Sequence, residues 1–422
     1  MTKDEFREAV WMGLGRAIVW AQNHDVREFR DVILDAWLHC RAIDPQSEGT
    51  RALFLYELVT ILPDAKFYRE ELLRALPDCR DDHDAVLRFR LASYFAIDGD
   101  EEMRRAMYAN FNPGPRMGEE SGVDFLQLDG LAGFLFAAEK VGALWLANPE
   151  DVDTGHMFFI AGEKFGEDET LEALREAGKT NEPIEAYRLE MLAFKQKHSG
   201  AVRSESYQLK YSEFRPKLFD AARLKISPHG WGSKASSEDL ELAACDLENA
   251  ITAEVQVRYL RIFARRRFPL HHAPLLRLTL SADDQVARAA AIALAQIDHL
   301  EVREMAFRLM QTGSVGRKSS IMMLVRNWRQ GDHEIVLRWF EQEVDRWIRH
   351  GFVHDLRAAW NTHPDLESEV GMLLMLYEKG TCSLCRENVV SRLIELDALP
   401  TSIRAECAFD SNDEIRVLVG AG

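Results

Sequence analysis

Arg258, Arg261, Arg265, Arg266 and Arg267, followed by Phe268-Pro269 and His271-His272, form the sharpest cluster of chemically useful side chains in the sequence. Spacing of i, i+3 and i+7 puts Arg258, Arg261 and Arg265 on one face of a helix, leaving Tyr259, Ile262 and Phe263 to pack elsewhere. Guanidinium groups arranged in this way bind phosphates or an acidic protein segment through charge-assisted, sometimes bidentate hydrogen bonds. The competing reading is structural: the arginines neutralise neighbouring helices or the acidic N-terminal part. A nucleic-acid groove would need the charge to continue on adjacent helices, where Arg303, Arg308, Arg317, Lys318, Arg326 and Arg329 are the candidates.

Trp231, within Pro228-His-Gly-Trp-Gly232, sits among turn-forming residues and either anchors a binding partner or tucks into the core. Trp328, Trp339, Trp347 and Trp360 read as core or inter-helix packing. Cys382-Ser-Leu-Cys385 is the one C-x-x-C, with Cys407 beyond it. A structural zinc site takes four ligands, and His354 and His363 could join only through folding, so these read as buried structural cysteines. A thioredoxin-like role would place the motif at a strand-to-helix junction, whereas this one opens a helix. Asp98-Gly-Asp100-Glu-Glu102 lacks the alternating oxygen ligands of a calcium loop and reads as a helix start. Gly13-Leu-Gly15 and Gly230-Trp-Gly232 lack the preceding strand and remaining glycines of a phosphate loop. No G-x-S-x-G, H-E-x-x-H or kinase-type set occurs, so no catalytic residue, metal ligand set or cofactor is expected.

The elements that must position these side chains are helices. Apolar residues recur at helical spacing along the chain, with almost no sustained period-two alternation. Phe6, Val10, Leu14 and Ile18 form one stripe, and Phe29, Ile33, Trp37 and Cys40 a second. Later stripes are Val286, Ala290, Ala293 and Ile297; Val302, Met305 and Leu309; Ile321, Leu324 and Trp328; Val336, Phe340, Val344 and Trp347; Leu366, Val370, Leu373 and Tyr377; and Val389, Leu393 and Leu396. Turn signals in the C-terminal half recur about every 16 residues, so a helix pair takes about 30 to 40, within the period range of helical solenoids. Each pair would bury its apolar face by stacking on its neighbours.

Pro274-Leu-Leu-Arg-Leu278, followed by Asp283, Asp284, Val286, Arg288, Ala291 and Leu294, resembles the HEAT-repeat consensus over about 30 residues, with weaker echoes at Asp298, Val302 and Arg303 and from Asp410 to Arg416. The resemblance implies an all-α solenoid of stacked antiparallel helix pairs forming a right-handed superhelix whose concave face holds a partner. Residues 1–196 lack a regular Asp-x-x-Val-Arg element and form a more irregular N-terminal helical domain. Residues 197–238, with Pro216, Pro228, Gly230, Gly232 and several serines, read as a connector or insertion, and 239–422 as the repeat domain. The connector and the irregular segment from Asn112 to Gly122 are expected to project from the helices.

The net charge of −17 argues against a general attraction to nucleic acid or anionic lipid. It is unevenly spread: residues 1–250 carry 46 acidic against 30 basic side chains, and residues 251–422 carry 23 against 22. Scattered cysteines suit a reducing, cytoplasmic setting. Thr2-Lys-Asp-Glu5 is a capping box with no secretory flank, and charged residues interrupt every hydrophobic run, so neither a signal peptide nor a membrane span is expected. The sequence therefore points to a non-enzymatic scaffold or adaptor that binds a protein partner, with Arg258, Arg261, Arg265, Arg266, Arg267 and Trp231 as candidate contacts. Self-association through the acidic and basic halves is a possible form of the same binding. The alternative is a nucleic-acid binder resembling helical-repeat DNA glycosylases.

Overall fold

In the computed structural model, residues 1–78, 82–114, 118–148, 155–198, 209–219, 227–312, 317–343, 345–362 and 369–420 are described. They contain 26 α-helices and no strand. Local signals set many helix boundaries. Thr2 Oγ1 accepts from Glu5 N–H at 3.3 Å while Thr2 N–H donates to Glu5 Oε2 at 2.7 Å, closing the capping box of helix Lys3–Met12. Asp100 caps helix Glu101–Asn110 through Met103 N–H, and Asp283 caps helix Asp284–Leu294 through the N–H groups of Gln285 and Val286.

The apolar stripes are buried as their spacing predicts. Phe6, Val10, Leu14, Ile18, Ile33, Trp37, Val286, Ala290, Ala293, Val302, Val336, Phe340, Leu373, Tyr377, Val389 and Leu393 all lie in the core. Trp347, Val370 and Leu396 depart from expectation, with exposures of 56%, 38% and 36%. Each sits at a helix terminus, where the stripe has run past its covering neighbours. Leu366, Val344 and His363 lie outside the described residues, and the side chain of Trp360 is likewise undescribed.

The chain forms two compact units: Met1–Ala201 with Cys382–Gly422, and Val202–Thr381. The division expected from sequence groups residues 382–422 with the repeats from 239 onward, whereas their contacts group them with the N-terminal helices.

In the first unit, arginine–aspartate ties recur between residues 31 to 34 positions apart: Arg30 with Asp64, Arg69 with Asp100, and Arg90 with Asp124. The C-terminal segment closes onto the N-terminal helices. Arg386 and Asp410 pair at 2.8 Å with both side chains fully buried, and Arg386 Nη2 also donates to the carbonyls of Met12 and Gly13. Gly13 ends the first helix in the left-handed conformation (φ 68°), and its carbonyl accepts from Ser411 N–H at 2.9 Å. A Cβ on Gly15 would lie 1.9 Å from the Glu406 carbonyl oxygen, so this glycine is required by close backbone approach.

Helix Gly118–Ala147 includes a 28-residue stretch, Glu120–Ala147, apolar enough in composition to cross a membrane. Gly130 breaks it with non-helical angles (φ 61°, ψ −137°). Ser121 to Leu126 at its start are buried, so this end of the irregular segment packs rather than projects; residues 115–117 lie outside the described set.

In the second unit, hydrogen bonds join residues within or beside helices at separations of 28 to 32 residues: Gln296 to the Ala264 carbonyl, His272 to Glu301, His299 N–H to Asn327, and Arg303 to Asp332. The described parts of the connector form helices Tyr211–Leu218 and Pro228–Lys234, whose Tyr211, Phe214, Leu218 and Trp231 are buried. They are part of the unit's core. Residues 199–208 and 220–226 lie outside the described set.

Candidate arginine pocket

The five arginines do not share one helix face. Helix Ala253–Ile262 ends at Phe263, which packs edge-on against Phe268 at 4.9 Å, both rings being buried. Burying these two rings turns the chain before Arg265, so Arg265, Arg266 and Arg267 follow the helix and only Arg258 and Arg261 lie on it.

Arg258 is held by its own fold, donating to the Leu218 carbonyl and to Glu254, each at 2.6 Å. Arg266 donates to the Ser233 carbonyl at 3.2 Å. Arg261, Arg265 and Arg267 are exposed. The structural and binding readings of the cluster thus divide residue by residue: Arg258 and Arg266 stitch neighbouring segments, and the other three present charge to solvent.

Trp231 is fully buried, stacks on Phe214 with ring centroids 4.2 Å apart, and donates from Nε1 to the Leu209 carbonyl at 2.7 Å. Of its two expected roles it takes the packed one, because the Pro228–Lys234 helix turns the indole inward. Gly232 brings that helix against the next: a Cβ there would lie 2.0 Å from the Ile262 carbonyl oxygen. Both Gly-x-Gly pieces therefore serve helix packing.

Arg261 faces a partner that spacing did not single out as a ligand group. Val257, Arg261 and Ala264 on one side and Gln285, Arg288, Ala289 and Ile292 on the other line an open cavity of about 500 Å³. Its walls carry two exposed guanidinium groups, one side-chain amide and an apolar floor, with no carboxylate among the lining residues. Such a site favours an anionic group attached to an apolar or neutral stem. Arg288 also acts electrostatically on Asp355, whose carboxyl is pushed up by burial against the opposing pull of His354 and Arg288. The sequence signal for Arg288 was present in the HEAT-like segment, but its neighbour in space was not.

Of the residues that could extend the basic face, Arg308 is exposed. Arg303 is paired with Asp332 and lies over the Phe307 ring at 4.8 Å. Arg326 and Arg329 are exposed, and the side chains of Arg317 and Lys318 are outside the described set.

The described cysteines Cys40, Cys245, Cys382, Cys385 and Cys407 carry thiols, with no disulfide joining them; Cys79 lies outside the described residues. Cys382 immediately precedes helix Ser383–Glu395, so the C-x-x-C opens a helix, and Cys382 and Cys407 are buried.

A second cluster that sequence reasoning missed joins two helix starts in the same unit. His272 Nε2 lies 2.8 Å from Glu301 Oε2, and His299 Nδ1 lies 3.8 Å from the same oxygen. The signal available in the sequence was a histidine immediately before each of the alternate helices Ala273–Leu278 and Leu300–Thr312, with His-x-Glu at the second. Comparison with protein-family models, curated proteins and solved structures gives no match.

Proposed function

We propose that this protein is a non-enzymatic cytoplasmic scaffold built on stacked, HEAT-like helix pairs, and that it docks an acidic segment of a partner protein on the face formed by helices Ala253–Ile262 and Asp284–Leu294. The carrying observation is the pairing of exposed Arg261 and Arg288 across an apolar-floored cavity with no lining carboxylate. A Glu or Asp side chain would accept hydrogen bonds from both arginines while its backbone and neighbours cover Val257, Ala289 and Ile292. Arg265 and Arg267, exposed just beyond the helix, extend the attraction along the incoming segment. The ties at 28 to 32 residues support the repeat reading of the second unit. The partner can be a second copy of this chain, since residues 1–250 supply the acidic surface.

The test is fluorescence anisotropy of a labelled Glu/Asp-rich peptide against the full chain and the Arg261→Glu/Arg288→Glu variant, with labelled duplex DNA of equal length in parallel. Peptide binding that weakens with salt and falls at least about tenfold in the variant supports the proposal. Equal binding by both proteins, or tighter binding of DNA than of peptide, overturns it. Sedimentation at low and high salt then asks whether the acidic partner is another copy: a dimer dissolved by salt and by the variant identifies self-association.

A further inference from the structure

We propose that His272, His299 and Glu301 form a binding site for a first-row divalent metal ion of the zinc class, bridging the starts of helices Ala273–Leu278 and Leu300–Thr312. The inference stands on residues separate from the arginine pocket.

The three side chains offer one ligand atom each, all within 4.8 Å of one another. Ligands about 2.0 to 2.2 Å from a tetrahedral ion lie about 3.4 Å apart, so the 2.8 Å and 3.8 Å separations from Glu301 Oε2 bracket the required spacing. Small side-chain rotations suffice to close the set. The His272 and His299 rings are 4.3 Å apart, and His271 stacks on His272 at 4.8 Å. Ala273 N–H donates to His271 Nδ1, and Glu301 N–H donates to His299 Nδ1 at 3.3 Å, a bond that ligation of an ion through that nitrogen would replace. Two imidazoles with one carboxylate make a borderline donor set, which suits Zn²⁺, Co²⁺ or Ni²⁺ better than Ca²⁺ or Mg²⁺.

A simple rung between helix pairs needs less. Arg303 and Asp332, 29 residues apart like His272 and Glu301, tie the next pair through a single guanidinium. At the histidine rung a second imidazole converges on the same carboxylate oxygen. His272 is nearly buried whereas His299 and Glu301 are about half exposed, so an ion would be fixed from one side and reached by water or an exogenous ligand from the other.

The experiment is optical titration of the full chain with Co²⁺, with equilibrium dialysis against Zn²⁺. The variants are His299→Asn, Glu301→Gln and Cys382→Ser/Cys385→Ser, each checked for helix content by circular dichroism. His299 and Glu301 are exposed, so their variants are expected to fold. The expected result is a Co²⁺ complex with d–d bands that persists in the cysteine variant. Its affinity, and that for Zn²⁺, falls at least about tenfold in the His299 and Glu301 variants. Absence of binding, affinity unchanged in those two variants, or loss of all bound Co²⁺ with the cysteines would overturn the proposal.

Discussion

Arg386 and Arg261 are the same residue type put to opposite uses in the two units. Arg386 is fully buried, paired with Asp410 and bonded to two carbonyls of the first helix's end, whereas Arg261 is exposed at the rim of a cavity. The difference teaches where arginine is committed to the fold and where it is available to a partner. A guanidinium taken out of water is costly unless it is paired, so the Asp410 carboxylate and the Met12 and Gly13 carbonyls specify how two distant segments meet. One left in solvent contributes little to stability and keeps its hydrogen-bonding capacity for a ligand.

The largest expected effect comes from breaking the committed arginine. Arg386→Ala strands the buried Asp410 carboxylate and should lower the stability of the first unit by about 3 to 5 kcal/mol, read as a lower urea midpoint. An Arg386→Met/Asp410→Leu double variant should recover most of that loss, because it removes the buried charges together. If the single variant is neutral, the closure of the C-terminal segment onto the first helix is not held by this pair.

Gly15→Ala probes the same closure without charge. Its Cβ would have to displace the Glu406 backbone, at an expected cost of about 1 to 3 kcal/mol, measured by thermal or urea denaturation.

A pH-dependent effect is expected from Glu48, whose side chain is buried against Arg51 and accepts from Ser383 N–H at 2.8 Å. Burial alone would raise its carboxyl, but the Arg51 charge and backbone N–H bonds from Asp44 and Ser383 outweigh it and hold the carboxyl at about 2. A depressed carboxyl binds fewer protons in the folded state. Its stabilising contribution is therefore present above about pH 4.5 and lost as pH falls toward 2. Urea midpoints across that window should fall less steeply in Glu48→Gln than in the parent protein.

The smallest stability effect belongs to Arg261→Glu/Arg288→Glu, expected within about 0.5 kcal/mol of the parent because both side chains are exposed. A large loss would move these arginines to the committed side of the comparison and leave the binding proposal without its premise.

Much of the helical layout was legible because its causes are local. The Thr2–Glu5 box, the Asp100 and Asp283 caps and the stripe from Val286 to Ile297 each depend on residues within a few turns of one another. The site was legible in part: Arg261 stood out by type, while its pairing with Arg288 depended on how two helices stack. The supposed helical register of Arg265 failed because Phe263 and Phe268 end the helix early to bury their rings. For Trp231 the sequence left partner anchoring and core packing both open, and the short helix built by its neighbouring proline and glycines turns it onto Phe214.

By itself, then, the sequence determined an all-helical chain, many of its helix starts and most of its buried faces, since capping and apolar periodicity act over three or four residues. Only the tertiary structure decided that Arg386 meets Asp410 beneath the first helix's end, that Arg261 shares a cavity with Arg288, and that His272 and His299 converge on Glu301. Those meetings join residues tens to hundreds of positions apart, and their partners are selected by backbone approach and packing rather than by spacing along the chain.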